Sequence, residues 1–388
     1  MRFEPESLTI EVHRSLDPIE EAWRALERDG VAPVYQTFDW VDAWQRHVGA
    51  PHGVEAMIVV GKVWGQPVFI WPMGRCRKAG IRIGHWLGGS HSNYNLGVHT
   101  RAAMLSLDRR RIEATLRQAA SEMGIDLYML QNQPAEWAGF ANPFHHLDHQ
   151  PSPSFARSVR LEDDFETYFR RMRSKDSRRK LRRKERFLEE AGPVELQVAR
   201  TEDEVLSVME VFHEQKARQF ADRGIHNLFD DCGVMRFFTD LAIRSLGTDA
   251  PRLEIYSLAV GGEVRAVWAG GESNGRCSGM FNSIATDDLS QYSPGSVLIM
   301  DLLPQLIERG VREFDLGIGP SGYKSDWCDR VDRMFDVALP ITVRGHAAAH
   351  AVSGYLKLRR FAKNTPLISK SYDRLRRLQS RGITGRVA

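Results

Sequence analysis

The sequence predicts an α/β protein of two tandem domains, each a mixed, mostly antiparallel sheet flanked by helices. Three observations support this fold class. The chain has 388 residues, more than one ordinary hydrophobic core needs. Its composition, 42% apolar and 27% charged, is that of a globular protein. Two segments also repeat one order of elements, helix, hairpin, strand, helix and strand, which indicates two similar domains.

The first copy begins with an aromatic-rich helical stretch, TFDWVDAWQRHVG, in which we expect Trp40 and Trp44 to be core residues. The next segment, VEAMIVVGKVWGQPVFIWPMGRC, has two β-rich runs around Gly65 and predicts a hairpin. A helix is predicted from about Leu107 to Met123. Gly124 ends this helix before the strand IDLYMLQ.

The second copy has the same order. VMRFFTDLAIRSLG contributes the core residues Phe237 and Phe238, and RLEIYSLAVGGEVRAVWAGGES predicts a hairpin around Gly261 and Gly262. A helix from about Ser296 to Arg309 is followed by a glycine and the strand VREFDLGI. We therefore predict a domain over residues 1–155, a basic linking helix over 156–192, a domain over 193–345 and a basic helical tail over 346–388.

Basic residues are concentrated in two segments, although the net charge of the chain is only +3. Eleven basic and two acidic residues lie between Arg170 and Arg186, and ten basic residues and one acidic residue lie between Lys357 and Arg386. These segments indicate an anionic partner, which is a nucleotide, a nucleic acid or a membrane surface, or else they are solvated helix faces. The predicted contacts to this partner are Arg178, Arg179, Arg182 and Arg183.

The tail also carries apolar residues among its basic ones. This pattern is typical of an interfacial helix, and packing against the catalytic domain would produce it equally. The apolar residues concerned are Val352, Tyr355, Leu356 and Phe361.

The cysteines and the hydropathy pattern exclude several classes of protein. The four cysteines are far apart, without a CxxC pair or a neighbouring histidine cluster, so we predict reduced thiols and no metal site. No run of about 18 apolar residues occurs, so a membrane-spanning helix is not expected. The predicted location is the cytoplasm, with peripheral binding to the inner face of the membrane as an alternative.

A Pro-Gly turn opens the second-copy helix in the segment YSPGSVLIM. Pro294 fixes its φ and Gly295 permits a sharp turn, so the first-turn amides of Gly295, Ser296 and Val297 point in one direction. Such amides lie at the positive end of the helix dipole and suit a pyrophosphate. Ordinary helix capping is the alternative.

The strand EFDLGIG is followed by SGYKSDW, which places polar side chains just beyond a strand end. This is the usual position of a site in an open α/β sheet. Lys324 is placed to balance a phosphate or an oxyanion, and Tyr323 to protonate a leaving thiolate. The alternative is a surface lysine that pairs with Asp326 and a tyrosine that packs on the core.

In this order, the hairpin, the SPG-led helix, the DLGIG strand and YKSDW resemble the FemAB-like branch of the GNAT acyltransferases. The likeness is to the CelD/BcsL-type acetyltransferases linked to bacterial exopolysaccharide synthesis, which have two GNAT-like domains in tandem. YQTFDWVDAW, FIWPM and NYNLGV resemble the N-terminal, acceptor-side domain of this group. SKDSRRKLRRKERFLEEAGPVEL resembles its basic linking helix.

The resemblance implies an acyl donor, acetyl-CoA or another acyl-CoA, at the amides from Gly295 to Val297. Asp315, Tyr323 and Lys324 match the DxGxG…YK element and are its implied catalytic residues. QYSPGS departs from the usual pyrophosphate motif, because Gln291 and Gly295 stand at a shifted spacing. Aminoacyl-tRNA, the donor of FemAB proteins proper, therefore remains an alternative. The resemblance implies no metal.

The implied activity is acetyl-CoA-dependent N-acetylation of an amino sugar of a bacterial exopolysaccharide or its precursor. One alternative is an aminoacyl-tRNA-dependent FemAB-type peptidoglycan transferase. Another is a non-catalytic homologue that senses a nucleotide, such as a cyclic dinucleotide, or docks on a membrane.

An acceptor and a base are also required. Tyr94, Asn95 and His213 are the predicted acceptor contacts, although a strand end and a solvated helix face explain them equally. The candidates for a base that removes the proton of the ammonium are Asp287, Asp288, His213 and Glu214.

Overall fold

The structure, a computed structural model, describes residues 7–224, 227–319, 322–350 and 354. Within this part the chain forms two compact units, one of residues 7–155 with 332–350 and 354, the other within residues 156–331. Each unit has a mostly antiparallel sheet with helices, so the predicted α/β fold class is confirmed. Most of the predicted basic tail, with its apolar residues, lies outside the described residues.

The described strands and helices follow in chain order. The strands are β1 (Leu8–His13), β2 (Glu55–Val63), β3 (Gln66–Lys78), β4 (Ile81–Trp86), β5 (Val98–His99), β6 (Leu127–Pro134), β7 (Glu136–Trp137), β8 (Phe140–Ala141), β9 (His149–Arg160), β10 (Val194–Val198), β11 (Glu254–Val260), β12 (Glu263–Ser273), β13 (Arg276–Ile284), β14 (Glu313–Ile318) and β15 (Arg330–Pro340). The helices are α1 (Glu20–Asp29), α2 (Phe38–Trp44), α3 (Arg101–Ser106), α4 (Arg109–Met123), α5 (Phe165–Met172), α6 (Lys175–Glu189), α7 (Glu202–Arg223), α8 (Cys232–Arg244) and α9 (Pro294–Glu308).

The sheet of the first unit has the order β1, β2, β3, β4, β6 and β15. Its neighbours are antiparallel except β4 and β6, which run parallel. The predicted hairpin is confirmed, and Trp64 and Gly65 form its turn with φ of 52° and 77°. Trp40 and Trp44 are buried, as predicted. Gly124 ends α4 in the left-handed region, with φ of 66°.

The sheet of the second unit has the order β9, β14, β13, β12, β11 and β10. The predicted hairpin of β11 and β12 and the burial of Phe237 and Phe238 are confirmed. β13 and β14 run parallel, but they pair only from Arg276↔Glu313 to Ser278↔Asp315. β13 continues to Ile284 and β14 to Ile318 without further pairing between them, so the sheet opens at their carboxyl ends.

The predicted linking helix over 156–192 differs from the structure. Residues 156–160 complete β9, and α5 and α6 follow as two helices. Ser174 separates them, because its side chain accepts a hydrogen bond from the Ser177 amide and begins α6. Leu181 and Leu188 of α6 are buried in the core of the second unit, and full burial of a leucine contributes about 1.5–3 kcal/mol. α6 is therefore part of the body of this unit.

The domain predicted over 193–345 also differs from the structure at its end. From Asp332 onward, β15 belongs to the first unit. It pairs with β6 in antiparallel register, for example through Pro340↔Leu127. An alternating apolar pattern predicts a strand, but it does not specify the neighbour in the sheet.

Candidate functional site

The candidate site lies where β13 and β14 stop pairing, and we call it the β13–β14 gap. It comprises Asn282 of β13, the end of β14 from Gly317 to Gly319, the turn from Gly322 to Asp326 and the start of α9. Because β13 and β14 are parallel, their carboxyl ends lie at one edge of the sheet, which is a usual place for ligands in α/β folds. A Cβ atom on Gly295 would lie 3.1 Å from Cγ2 of Ile284, so α9 begins directly against the end of β13.

The first turn of α9 is already partly capped by the chain itself. Ser293 has a left-handed conformation, with φ of 57°, and its carbonyl accepts hydrogen bonds from the amides of Ser296 at 2.9 Å and Val297 at 3.3 Å. Gly295 is the one of the three predicted donor amides that has no acceptor among the described residues. The predicted anion site therefore has one amide to offer instead of three, because Ser293 already accepts hydrogen bonds from the other two.

Two other predicted donor contacts shape the turn before α9. Gln291 is exposed, and its side-chain amide donates to the Asp288 carbonyl at 2.9 Å. Pro294 is buried at the first position of α9, where a missing N–H costs nothing.

Asp315 is fully buried and holds the last paired residues of β13 and β14 together. One carboxylate oxygen accepts hydrogen bonds from Nε of Arg276 at 2.7 Å and the hydroxyl of Ser278 at 2.6 Å. The other accepts from the Gly317 amide at 2.8 Å. These three donors occupy the carboxylate, so Asp315 fixes the geometry of the strand end and does not face open space.

Lys324 lies in the interior, only 5% exposed, directly behind the end of β14. Its ammonium donates to the carbonyls of Gly317 at 3.1 Å and Ile318 at 2.8 Å. The alternative pairing with Asp326 is not present, since the Asp326 carboxylate lies 3.5 Å from Nη2 of Arg173. Burial lowers the pKa of Lys324 to about 8, while the charge of Asp315 acts in the opposite direction.

Tyr323 connects the turn after β14 to β13. Its hydroxyl oxygen accepts a hydrogen bond from the side-chain amide of Asn282 at 2.7 Å, which leaves the phenolic proton available for donation. Burial raises the pKa of Tyr323 to about 12, although the Asn282 bond acts in the opposite direction. The phenol is therefore neutral at physiological pH. Its ring packs against the core, as the alternative interpretation expected.

Arg173 is a residue of this region that the sequence did not single out. It is 8% exposed, and its guanidinium carbon lies 4.3 Å from the ring centroid of the buried Trp327. Nη1 donates to the hydroxyl of Ser177, whereas Nε and Nη2 have no hydrogen-bond partner within the described residues. Burial lowers its pKa. Nothing in the run of basic residues distinguishes Arg173, except its position directly before the Ser174 cap.

The predicted acceptor contacts belong to different units. Tyr94 and Asn95 lie in the interior of the first unit, 0% and 3% exposed. The Asn95 side chain donates to the Gln131 carbonyl and accepts from Ser92. His213 lies on α7 of the second unit with a partly exposed side chain.

Three of the four candidates for a base lie near an oppositely charged side chain. His213 Nε2 is 3.8 Å from the carboxylate of Asp230, and Glu214 pairs with Arg218 at 3.6 Å. Asp287 pairs with Arg265 at 2.5 Å. Asp288 is exposed just before α9.

The four predicted anion-binding arginines of α6 fall into two groups. Arg178 donates to the Arg173 carbonyl at 2.6 Å, and Arg182 pairs with Glu166. Arg179 and Arg183 are exposed, and Arg183 lies over the ring of Phe187.

Among the described residues, no group of three or more His, Cys, Asp or Glu side chains is arranged to hold a metal ion. None of the helices in this part of the chain has the length and apolar run that a membrane crossing needs.

Residues 175–325 match the family described as "Acetyltransferase (GNAT) domain". This range contains α6, the start of α9, β14 and the Tyr-Lys turn. No curated protein matches the chain.

Solved structures share the fold over most of the chain. FemX has a TM-score of 0.61 at 8% identity, with 87% of this chain and 100% of that chain covered. A conserved protein of unknown function from Bacteroides thetaiotaomicron has a TM-score of 0.56 at 10% identity, with 85% and 100% covered. The C-terminal domain of a putative lysylphosphatidylglycerol synthetase from Agrobacterium fabrum has a TM-score of 0.50 at 12% identity, with 87% and 95% covered.

Proposed function

We propose that this protein, a GNAT-type acyltransferase by its domain match and fold, is an acetyl-CoA-dependent N-acetyltransferase. Its proposed acceptor is an amino sugar of a bacterial exopolysaccharide or its precursor, as the resemblance to CelD/BcsL-type enzymes implies. The observation that carries the proposal is the β13–β14 gap, in which an open pair of parallel strands, a helix start and the Tyr-Lys turn lie within one unit.

The donor lies in the gap, with its acyl group between the two strands. Beyond Ser278, β13 has backbone groups that no longer pair across the gap, and these suit the amide groups of an extended donor chain, whereas Lys324 and Asp315 already engage groups of β14. The diphosphate of the donor lies at the first turn of α9, where the Gly295 amide donates to it. Gln291, Pro294, Ser296 and Val297 support the shape of this turn.

The reaction is a direct attack of the acceptor amine on the acyl carbon. The new C–N bond forms, the C–S bond breaks, and the electron pair leaves on sulfur. Before the attack, a water molecule removes a proton from the acceptor ammonium to give the neutral amine, and Asp288 and His213 are the candidates to accept this proton from the water. His213 is also the predicted acceptor contact with an exposed side chain, whereas Tyr94 and Asn95 support the interior of the first unit.

Tyr323 stabilises the leaving thiolate by a hydrogen bond. Its pKa of about 12 lies above that of a thiol, about 8.5, so complete proton transfer to sulfur is unfavourable. The phenol therefore keeps its proton and donates a hydrogen bond, and the thiolate takes its final proton from water. Asn282 orients the hydroxyl from the opposite side.

Lys324 and Asp315 act as positioning residues in this proposal. Lys324 fixes the carbonyls of Gly317 and Ile318, and Asp315 fixes the Gly317 amide. Together they determine the path of the chain at the end of β14. The positive charge of Lys324 also favours the oxyanion that forms as the amine attacks.

The alternative donor is an aminoacyl-tRNA, used by a FemAB-type peptidoglycan transferase. The exposed basic residues of α6 favour a nucleic acid partner, because they suit a phosphate backbone. A non-catalytic homologue that binds a cyclic dinucleotide or a membrane surface uses the same charges without an acyl donor.

One experiment tests these readings together. Thermal unfolding of the protein is measured with acetyl-CoA, an aminoacyl-tRNA, a cyclic dinucleotide and anionic vesicles, and thiol release is measured with acetyl-CoA and a glucosamine-containing acceptor. We expect acetyl-CoA to raise the midpoint and thiol release to require the acceptor. Stabilisation by the tRNA alone would replace the proposal with the transferase alternative, and stabilisation by a dinucleotide or vesicles alone would favour the non-catalytic homologue.

A further inference from the structure

α6 has a cavity of about 540 Å³ along its exposed face. The side chains that line it recur every three or four residues, so they form one stripe on the helix. Four of them are basic, one is aromatic and two are acidic, namely Arg179, Lys180, Arg183, Arg186, Phe187, Asp176 and Glu190. The cavity is lined by α6 and the residue that follows it, within the second unit, and contains none of the residues assigned above to the chemistry.

The basic side chains of the stripe outnumber the two carboxylates, Asp176 and Glu190, that also line the cavity. No acidic group within the described residues lies within ion-pair distance of Arg179, Lys180, Arg183 or Arg186. Arg178 and Arg182, on the same helix, instead bind groups of the second unit itself. Like charges at helical spacing repel one another, so a stripe of this kind favours an anionic ligand.

The cavity is connected to the start of α9 by adjacent residues of α6. Phe187 stacks on Tyr292 with ring centroids 5.1 Å apart, and the Arg183 guanidinium lies 5.2 Å from the Phe187 centroid. Nζ of Lys184 donates to the hydroxyl of Ser293 at 2.7 Å. Tyr292 and Ser293 are the last residues before α9. A ligand whose diphosphate lies at the first turn of α9 therefore extends toward the stripe.

We propose that the basic cavity of α6 binds the nucleotide end of the acyl donor, through the phosphate groups on its ribose. Guanidinium groups bind phosphate oxygens in pairs of parallel hydrogen bonds, and three arginines line the cavity. This inference rests on the proposed donor site. The same chemistry occurs in two sources, the 3′-phosphorylated adenosine of a CoA and the 3′-terminal nucleotides of a tRNA.

The test measures binding of CoA, dephospho-CoA, which lacks the 3′-phosphate, and an RNA minihelix with a tRNA 3′ end. The variant is Arg183→Gln with Arg186→Gln, and the matched control is Arg178→Gln with Arg182→Gln, which removes equal charge from two arginines of α6 that already bind groups of the second unit. We expect the unmodified protein to bind CoA about tenfold more tightly than dephospho-CoA. The variant loses this difference, and the control keeps it.

The outcomes separate the inference from the proposed function. Equal binding of CoA and dephospho-CoA, unchanged in the variant, would overturn the inference and leave the donor site in place. Binding of the RNA alone, lost in the variant and kept in the control, supports the inference and overturns CoA as the donor. Binding of none of the three ligands overturns both. Circular dichroism and the thermal midpoint show whether each variant is folded.

Discussion

The ammonium of Lys324 donates a hydrogen bond to the carbonyl of Ile318 at 2.8 Å, inside the protein and at the last residue of β14. A second bond reaches the Gly317 carbonyl. The lysine therefore determines where the strand turns away from its parallel neighbour β13. Its role in the proposed site is to hold the shape of the β13–β14 gap.

Replacement of Lys324 by methionine is expected to abolish turnover and to lower stability. Methionine fills much of the same space, but two buried carbonyls lose their donor, and each unsatisfied group costs about 1–3 kcal/mol. We expect kcat/KM to fall at least a hundredfold and the free energy of unfolding to fall by about 2 kcal/mol. Steady-state kinetics and urea unfolding measure the two effects. The exposed Lys175, changed to methionine, is the control and is expected to alter neither.

The Tyr323→Phe variant is expected to lower kcat by about ten- to a hundredfold, with little change in KM for the donor. The substitution removes the hydrogen bond to sulfur in the transition state but keeps the ring in the core. Tyr128→Phe is the matched control, because the Tyr128 hydroxyl donates to the Leu116 carbonyl inside the first unit. It is expected to lower stability by about 1 kcal/mol and to leave kcat unchanged. Equal kcat values for the Tyr323 variant and the unmodified protein contradict the proposed role.

Asp315→Asn is expected to destabilise the second unit by about 3 kcal/mol, because it leaves the buried Arg276 without its closest counter-charge. Glu313, 3.2 Å from Arg276, only partly replaces it. Denaturant unfolding measures the change. Asp148→Asn breaks an exposed pair with Arg109 and is expected to cost less than about 1 kcal/mol. Similar losses of unfolding free energy in the two variants would show that the buried Asp315–Arg276 pair stabilises the fold no more than an exposed ion pair does.

A pH dependence is expected from Asp301 of α9. Its carboxyl lies partly buried, and burial together with the charges of Glu185 and Glu189 raises its pKa to about 7. A folded-state pKa above the ordinary 3.8 means that the folded protein binds an extra proton between these values, so stability is lost as pH rises through this window. Above pH 7 the ionised carboxylate of Asp301 therefore lowers the free energy of unfolding.

Asp301→Asn is therefore expected to stabilise the protein at pH 8 by about 2 kcal/mol, allowing for partial exposure, and by less than half of that at pH 5, which lies nearer the unfolded-state pKa. Thermal unfolding at both pH values measures this. The control is Asp163→Asn, because Asp163 is 96% exposed and paired with Arg312. If Asp301→Asn raised the stability equally at pH 5 and pH 8, the assigned titration of Asp301 would be wrong.

The elements that the sequence predicted correctly depend on local signals. The hairpins follow from β-rich runs around Gly65 and around Gly261 and Gly262, and α4 ends where a glycine adopts positive φ. These signals act within a few residues, so they can be read without knowledge of the tertiary contacts.

The elements that could not be predicted depend on contacts between distant segments. The pairing of β15 with β6 joins residues more than 200 positions apart, and the burial of Lys324 depends on the path of β14. For α6, the sequence does contain a local pattern that indicates the buried face of the helix. Leu181 and Leu188 are seven residues apart and mark the buried face, which identifies Arg178 as inward and Arg179 and Arg183 as outward.

Hydrogen exchange with and without acetyl-CoA locates the donor on the chain. We expect acetyl-CoA to slow amide exchange in the peptides that cover residues 279–284, 293–298 and 316–319. Protection of these three segments together places the donor in the β13–β14 gap. No protection at saturating acetyl-CoA, or protection confined to the first unit, would refute a donor site in this gap.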